Sequence, residues 1–239
     1  MSGSAHATCT GVPCRHVTRT PHNRLASRGT TVMSTAAEAA RKNRGGTRTS
    51  MLVTAAEVLR ERGAAGVTID EVLTRSGAPR GSVYYHFPNG RNQILTEALR
   101  YSGEAITAAI DTAADQGAAA LVRRFVELWE HLLAESDFNA GCPVVAAAIG
   151  PADGEPHLTA EAGEIFDHWR AALSRAFVAD GFDQSDADSL ALTSIAALEG
   201  AVVLCRSTRS ATPLQKVAEQ LEFLIKAREF VRRNGVPGR

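Results

Sequence analysis

The residues between Arg80 and Tyr85 are of the types that proteins use to contact nucleic acid. The chain has only three tyrosines, and two of them, Tyr84 and Tyr85, stand side by side in this segment. An arginine can fork onto the edge of a guanine, and Gly81 lets the backbone approach closely. A tyrosine ring can reach thymine methyl groups while its hydroxyl bonds a phosphate. The residue types therefore indicate contacts to bases and phosphates.

These side chains can reach DNA only if a short helix presents them to solvent. In a helix, Val83 and Phe87 lie four residues apart and share one face, which puts Tyr85 on the opposite face and Tyr84 on a flank. An alternative interpretation is that both tyrosines pack against neighbouring helices and that the nearby arginine is merely solvated. The spacing alone leaves both interpretations open.

A helix-turn-helix accounts for the placement of this segment. Thr68 can cap a helix in which Glu71 occupies the third position, a capping box. Residues 76–78 break that helix, and Pro79 suits the first turn of a third helix containing residues 80–87. Two short helices joined by a glycine-containing turn are typical of the helix-turn-helix.

The rest of the chain has a helical period. A first helix is predicted from Thr47 to Arg62, and a fourth helix starts near Arg91 and reaches Leu99. Further helices are predicted near 103–115, 118–135, 143–149, 158–180, 186–206 and 213–232. No segment shows the alternation of a strand. We therefore expect an all-α fold of about nine or ten helices, with an N-terminal three-helix unit followed by a helical body.

The net charge of zero conceals an asymmetry. Residues 1–100 carry 14 basic and six acidic side chains, whereas residues 101–239 carry 12 basic and 20 acidic ones. Residues 1–46 are poor in apolar side chains and are expected to be a disordered basic arm. Met33 offers an alternative start, in which case residues 1–32 are an artefactual extension. The asymmetry favours a polyanion-binding module attached to a body with another role.

Several other classes of protein fit the sequence poorly. No apolar run is long enough to suggest a membrane span or a signal peptide, so a cytoplasmic protein without membrane contact is expected. The four cysteines, which are Cys9, Cys14, Cys142 and Cys205, have no metal-knuckle spacing. We predict no metal, no cofactor and no catalytic residues. A helical enzyme using Cys142 is kept as an alternative of another class, although no nucleophile and base are suitably spaced for it.

The run from Gly77 to Arg91, GAPRGSVYYHFPNGR, resembles the signature of the TetR family of bacterial transcriptional regulators. The resemblance covers about residues 47–100. It implies that Arg80, Gly81, Tyr84 and Tyr85 approach bases. It also implies phosphate contacts from Thr68, Ser82, His86, Arg91 and Arg48. Double-stranded DNA is therefore the expected partner.

In that family the remainder of the chain holds a ligand pocket and a dimer interface. Residues 140–149 resemble the LmrA/YxaF-like branch, typified by repressors of lincomycin-type resistance genes. This resemblance implies a repressor of an efflux or resistance gene that a small-molecule inducer, of unknown identity, releases from DNA. An alternative within the same class is a regulator that no ligand releases.

Candidate ligand contacts are aromatic side chains of the body and one thiol: Phe125, Trp129, Cys142, Phe166 and Trp169. Aromatic residues at such spacings could line an apolar cavity or belong to an ordinary core. For Cys142, a buried inert thiol is the alternative.

A homodimer is expected because one helix-turn-helix reads only about half a turn of major groove, and a palindromic operator offers two half-sites. The apolar content of residues 158–180 and 186–206 suggests that these two helices form the interface. Burial within one subunit is the alternative. The predicted domains are thus a DNA-binding domain at 47–92, a ligand-binding and dimerisation domain at 93–232 and a tail at 233–239.

Overall fold

The computed structural model describes residues 46–150 and 155–235, and nine α-helices account for nearly all of them. They are α1 (Thr47–Gly66), α2 (Ile69–Ser76), α3 (Ser82–His86), α4 (Gly90–Ala114), α5 (Ala118–Glu135), α6 (Pro143–Ile149), α7 (Pro156–Ala179), α8 (Gln184–Thr208) and α9 (Thr212–Asn234). Neither described range contains a strand, so the all-α prediction is confirmed. The predicted arm, including the extension at 1–32, and most of the tail at 233–239 lie outside the described residues.

The boundaries of α1 and α2 follow from local chemistry. Gly63 interrupts α1 with a φ of 70°, a conformation that glycine adopts at little cost. The side chain of Thr68 accepts a hydrogen bond from the Glu71 amide at 3.1 Å, which is one half of the predicted capping box. The other half is absent, because the Glu71 carboxylate accepts from Arg62 and Arg75. Gly77 ends α2 in the left-handed conformation, with a φ of 67°. The turn between α2 and α3 is therefore fixed on both sides.

The third helix is shorter than predicted. It begins at Ser82 rather than at residue 80, because both the amide and the hydroxyl of Ser82 donate to the Pro79 carbonyl. Residues 79–81 thus form a turn that leads into α3.

The prediction of separate helices near 91–99 and 103–115 is wrong. Helix α4 runs unbroken for 25 residues from Gly90 to Ala114. Ser102 donates its hydroxyl to the Ala98 carbonyl at 3.0 Å, and Gly103 lets α7 approach. A Cβ atom on Gly103 would lie 2.6 Å from Cδ1 of Ile165. These small residues serve close helix packing rather than a chain break.

One connected apolar core runs through the described part of the chain. Helix α4 packs against α1 at one end and against α7 along its length, while α8 lies between α7 and α9. Trp129, Trp169 and Phe177 are among the largest fully buried side chains. The helix-turn-helix is therefore attached to the body through α1 and α4.

The exposed apolar side chains concentrate on two helices. Helix α8 exposes Leu192, Val203 and Leu204, and α9 exposes Phe223, Phe230 and Val231. Helix α7 exposes only Val178 among its large apolar residues, because its other apolar side chains pack against α4 and α8. The apolar surface thus differs from the expected pair of 158–180 and 186–206.

Helix α8 is also long and apolar enough to cross a bilayer, with 44% of its most apolar window buried within the protein. Core helices commonly meet this criterion, so it is weak support for a membrane span.

Candidate nucleic-acid interface

Helix α3 is anchored by two buried side chains and exposes two aromatic ones. Val83 and Phe87 are completely buried, whereas Tyr84 and Tyr85 are 64% and 82% exposed. The interpretation in which both tyrosines pack into neighbouring helices is therefore wrong. Two adjacent exposed rings form a surface patch of the kind that can contact a partner.

Neighbouring residues restrict both rings. A Cβ atom on Gly90 would lie 3.5 Å from Cε1 of Tyr84, so the ring lies against the start of α4. The His86 ring packs edge-on to Tyr85, with centroids 4.8 Å apart. The rings are exposed and yet have contacts that orient them, which lowers the entropy lost when they bind.

Arg80 is engaged only by an exposed partner. Its Nη2 atom lies 2.6 Å from a carboxylate oxygen of Asp70, and the two side chains are 83% and 73% exposed. An ion pair this exposed contributes little to stability. Arg80 can therefore exchange Asp70 for a base edge or a phosphate at small cost.

Thr68 and Ser82 differ in whether the hydroxyl proton is free to be donated to a phosphate. The Thr68 oxygen accepts the cap hydrogen bond, so its hydroxyl proton remains available to a phosphate. Ser82 already donates its single hydroxyl proton to the Pro79 carbonyl at 2.6 Å. A phosphate contact from Ser82 requires that this bond break or that its backbone amide be used.

Arg48, in the first turn of α1, is held at the junction of α3 and α4. Its guanidinium pairs with Glu97 and lies over the Phe87 ring, 5.0 Å from the centroid. The side chain is nevertheless 44% exposed. Arg48 therefore supports the buried anchor of α3 while retaining access to solvent.

The structure gives Arg91 a role that differs from the expected phosphate contact. Its Nε donates to the Val67 carbonyl and its Nη2 to the Ala64 carbonyl, each at 2.7 Å. Its Nη1 pairs with Glu155, a buried residue just before α7. Arg91 thus ties the α1–α2 turn to the body, and a phosphate contact requires that it leave Glu155. The sequence contained no signal for Glu155.

The five candidate ligand residues do not form one pocket. Phe125 and Trp129 pair with ring centroids 5.9 Å apart, and Phe166 and Trp169 form a separate edge-on pair at 5.4 Å. The Trp169 indole donates to Thr107 at 2.8 Å. Both tryptophans are 1% exposed. These side chains behave as core residues, which is the alternative that the sequence left open.

Cys142 lies elsewhere, on a cavity of about 730 Å³ that none of the four aromatic residues line. Burial raises the pKa of the Cys142 thiol well above its ordinary value, and Glu199 raises it further. The thiol is therefore protonated at neutral pH, which opposes both nucleophilic catalysis and oxidant sensing. Among the residues described, no three His, Cys, Asp or Glu side chains are grouped to hold a metal ion.

Comparison with known proteins agrees with this geometry. Residues 51–98 match a family model described as bacterial regulatory proteins of the tetR family, and residues 118–220 match the C-terminal domain of LmrA/YxaF-like transcriptional regulators. An uncharacterized HTH-type transcriptional regulator of Mycobacterium tuberculosis is 40% identical over 187 residues, covering 76% of this chain and 95% of the relative.

More distant proteins extend the similarity. The HTH-type regulator YxaF of Bacillus subtilis is 26% identical over 186 residues, covering 77% of this chain and 97% of YxaF. The crystal structure of a regulatory protein TetR from Rhodobacter sphaeroides has the same fold, with a TM-score of 0.67 and 21% identity. The match covers 73% of this chain and 96% of that structure.

Proposed function

Because the chain belongs to the TetR family of transcriptional regulators, with an LmrA/YxaF-like C-terminal domain, we propose that it is a ligand-released repressor. It binds a palindromic operator as a dimer, and a small molecule releases it. It acts in the cytoplasm and controls an efflux or resistance gene, as its resemblance to the LmrA/YxaF-like branch suggests. Residues 47–92 form the DNA-binding domain and residues 93–232 the ligand-binding and dimerisation domain.

The observation that carries this proposal is the exposure of two tyrosines on a helix whose opposite face is fully buried. Inserted into a major groove, α3 offers Tyr84, Tyr85 and Arg80 to base edges, with Gly81 allowing close approach. Phosphate contacts are proposed for Arg48, Thr68, Ser82, His86 and, once it leaves Glu155, Arg91.

Dimerisation is proposed through α8 and α9 because these helices carry the exposed apolar side chains. Phe223 is 69% exposed and Phe230 is 58% exposed, and Leu192 on α8 is 60% exposed. Covering such side chains provides the apolar core that stable homodimer interfaces need. Helix α7, whose exposed face is mainly polar, contributes less than the sequence suggested.

The test is a gel shift at stated salt on the DNA that flanks the gene encoding this protein. Tyr84→Ala should weaken operator binding by about tenfold or more, since a good base contact is worth ~1–3 kcal/mol and the dimer uses two. Dimerisation, measured by sedimentation, should be unchanged. Arg80→Ala should also weaken binding, whereas Arg175→Ala, an exposed arginine on α7, is the matched control.

Two outcomes would count against the proposal. Unchanged binding by Tyr84→Ala and Arg80→Ala would contradict the assignment of α3 as the reading helix. Adding candidate drugs to the same gel shift tests release, and an operator complex that none of them dissociates would favour the regulator that no ligand releases.

A further inference from the structure

Glu199 is a buried carboxylate on an apolar helix, and no charged side chain among the residues described pairs with it. It lies in α8 and is 6% exposed. Neither carboxylate oxygen has a hydrogen-bond partner among the residues described. Such a group is costly to bury, because desolvation of a carboxylate is offset only by a donor or a cation. The neighbouring Cys142 thiol is only a weak donor, so it offsets little of this cost. A buried acid without a strong donor or a cation is a candidate ligand site.

Glu199 lies in the wall of a cavity, with its carboxylate oxygens just below the cavity surface. The cavity has a volume of about 730 Å³ and opens to solvent between α1, α6, α8 and the segment 138–142. Apolar wall residues include Val145, Ala146 and Val202. Cavities of roughly 300–1,000 Å³ with apolar walls and a few polar groups are typical of small-molecule sites.

The arginines around the cavity have partners other than Glu199. Arg206, on the wall, donates from Nη2 to the Asn139 carbonyl at 2.7 Å and to the Glu61 carbonyl at 3.1 Å. Arg60, on α1, donates to the Gly141 carbonyl at 3.4 Å. Among the residues that the structure describes, no cation therefore neutralises Glu199.

We propose that this cavity binds a small hydrophobic amine, with its ammonium group on Glu199 and its apolar body against α6 and α8. This inference rests on the proposed function and names the chemical class of the releasing compound. Two arginines that line the cavity are neutralised by other acids, since Arg62 pairs with Glu71 and Arg209 with Asp137. The one unpaired acid on the wall matches a ligand with a single positive charge. The four aromatic residues singled out from the sequence take no part.

The location of the cavity links binding to the DNA-binding domain. One wall is the end of α1, from Glu61 to Ala65, including the positive-φ residue Gly63. The bond from Arg206 to the Glu61 carbonyl joins α8 to that segment. An amine in the cavity contacts both sides of this joint, so its binding biases how α1 sits on the body.

The test uses the full-length protein without DNA and the probe 4-phenylbutylamine, with the neutral 4-phenylbutanol as the matched compound. At pH 8, isothermal titration should show the amine binding about tenfold more tightly than the alcohol, the effect of a charged hydrogen bond. Glu199→Gln should remove this preference, and Glu164→Gln, an exposed acid on α7, should retain it. Equal affinity for both compounds, or no measurable binding of the amine to the wild type, would overturn the proposal.

A second variant keeps the test decisive if Glu199→Gln does not fold. Ala146→Leu adds volume to the cavity wall and leaves the carboxylate in place, so it should weaken binding of the amine. Unchanged amine binding by this variant would also overturn the proposal. A gel shift on the same preparation distinguishes the two proposals. Operator binding without amine binding would contradict only the proposed amine site. Amine binding without operator binding would contradict only the proposed repressor function.

Discussion

Replacing Glu199 by glutamine should remove part of the pH dependence of folding stability. Burial raises the pKa of Glu199 to about 7 from its ordinary value of 4.5, and the neighbouring Cys142 thiol opposes this with a smaller effect. In the unfolded chain the carboxyl ionises near the ordinary value. The folded state therefore holds a proton that the unfolded state has lost, over the range from about pH 4.5 to about pH 7.

The sign and size follow from this difference. Below the unfolded pKa both states are protonated, and Glu199 adds no pH-dependent cost. As the pH rises, the unfolded state is increasingly favoured, and the loss is complete once the pH has passed the folded pKa. The interval from 4.5 to about 7 corresponds to about 3 kcal/mol of unfolding free energy, at about 1.4 kcal/mol per pH unit.

Urea denaturation at fixed protein concentration measures this effect. The difference in unfolding free energy between Glu199→Gln and the wild type should shift by about 3 kcal/mol in favour of the variant between pH 4.5 and pH 8, or about 1 M in the urea midpoint. A constant penalty for burying the amide cancels in this comparison. Other titrating groups also cancel because both proteins carry them. Glu164→Gln provides the control for substituting any glutamate.

Parallel stability curves for Glu199→Gln and the wild type across this pH range would refute the reasoning. Glu199 would then titrate alike in both states, which means that a cation or solvent already reaches it. A curve of opposite slope would mean that the folded protein stabilises the ionised carboxylate.

Other substitutions test the buried anchor of α3, the N-terminal cap of α2 and the pairing of Arg91 with Glu155. Phe87→Ala should lower the unfolding free energy by about 3–5 kcal/mol, because it empties a fully buried site; an unchanged thermal midpoint would contradict that anchor role. Thr68→Ala should cost about 1 kcal/mol as a lost cap, and Thr68→Ser should restore it in the same melting experiment. Glu155→Gln should free Arg91 for phosphate and steepen the plot of log affinity against log salt by about two in a dimer. An unchanged salt slope would mean that Arg91 stays on the Ala64 and Val67 carbonyls.

The helix-turn-helix was predictable because its determinants are local. The spacing of Val83 and Phe87 sets the buried face of α3, and the Thr68 hydroxyl caps a helix through a residue three positions along. Neither determinant depends on contacts with segments that are distant in the chain. The buried face of α3 therefore followed from the sequence, whereas the exposure of both tyrosines was one of two interpretations and required the structure.

The errors concern residues whose role depends on tertiary contacts. The gap predicted between the helices at 91–99 and 103–115 is absent, and Gly103 is a packing position because Ile165 lies against it. Arg91 looked like a free phosphate ligand because Glu155 is 64 residues away in the chain. Aromatic residues such as Trp129 have the same spacing whether they line a cavity or fill a core.

Glu199 is the feature that closer attention to the sequence could have found. It is the single acid in the run from Ala196 to Leu204, where each neighbour is apolar or glycine. A lone acid in such a stretch is a signal of a special site. Its cavity, however, is formed by helices far apart in the chain and required the structure.

The continuity of α4 has a mechanical consequence. With 25 residues and a rise of about 1.5 Å per residue, the helix is a rod about 37 Å long. A tilt of about 5° about one end displaces the other end by about 3 Å. In a symmetric dimer the displacements of the two copies of α4 add or cancel, depending on the axis about which the helices tilt. Half-sites lie about 34 Å apart. A small rotation of α4 therefore changes the distance between the two copies of α3 enough that both can no longer enter the major groove.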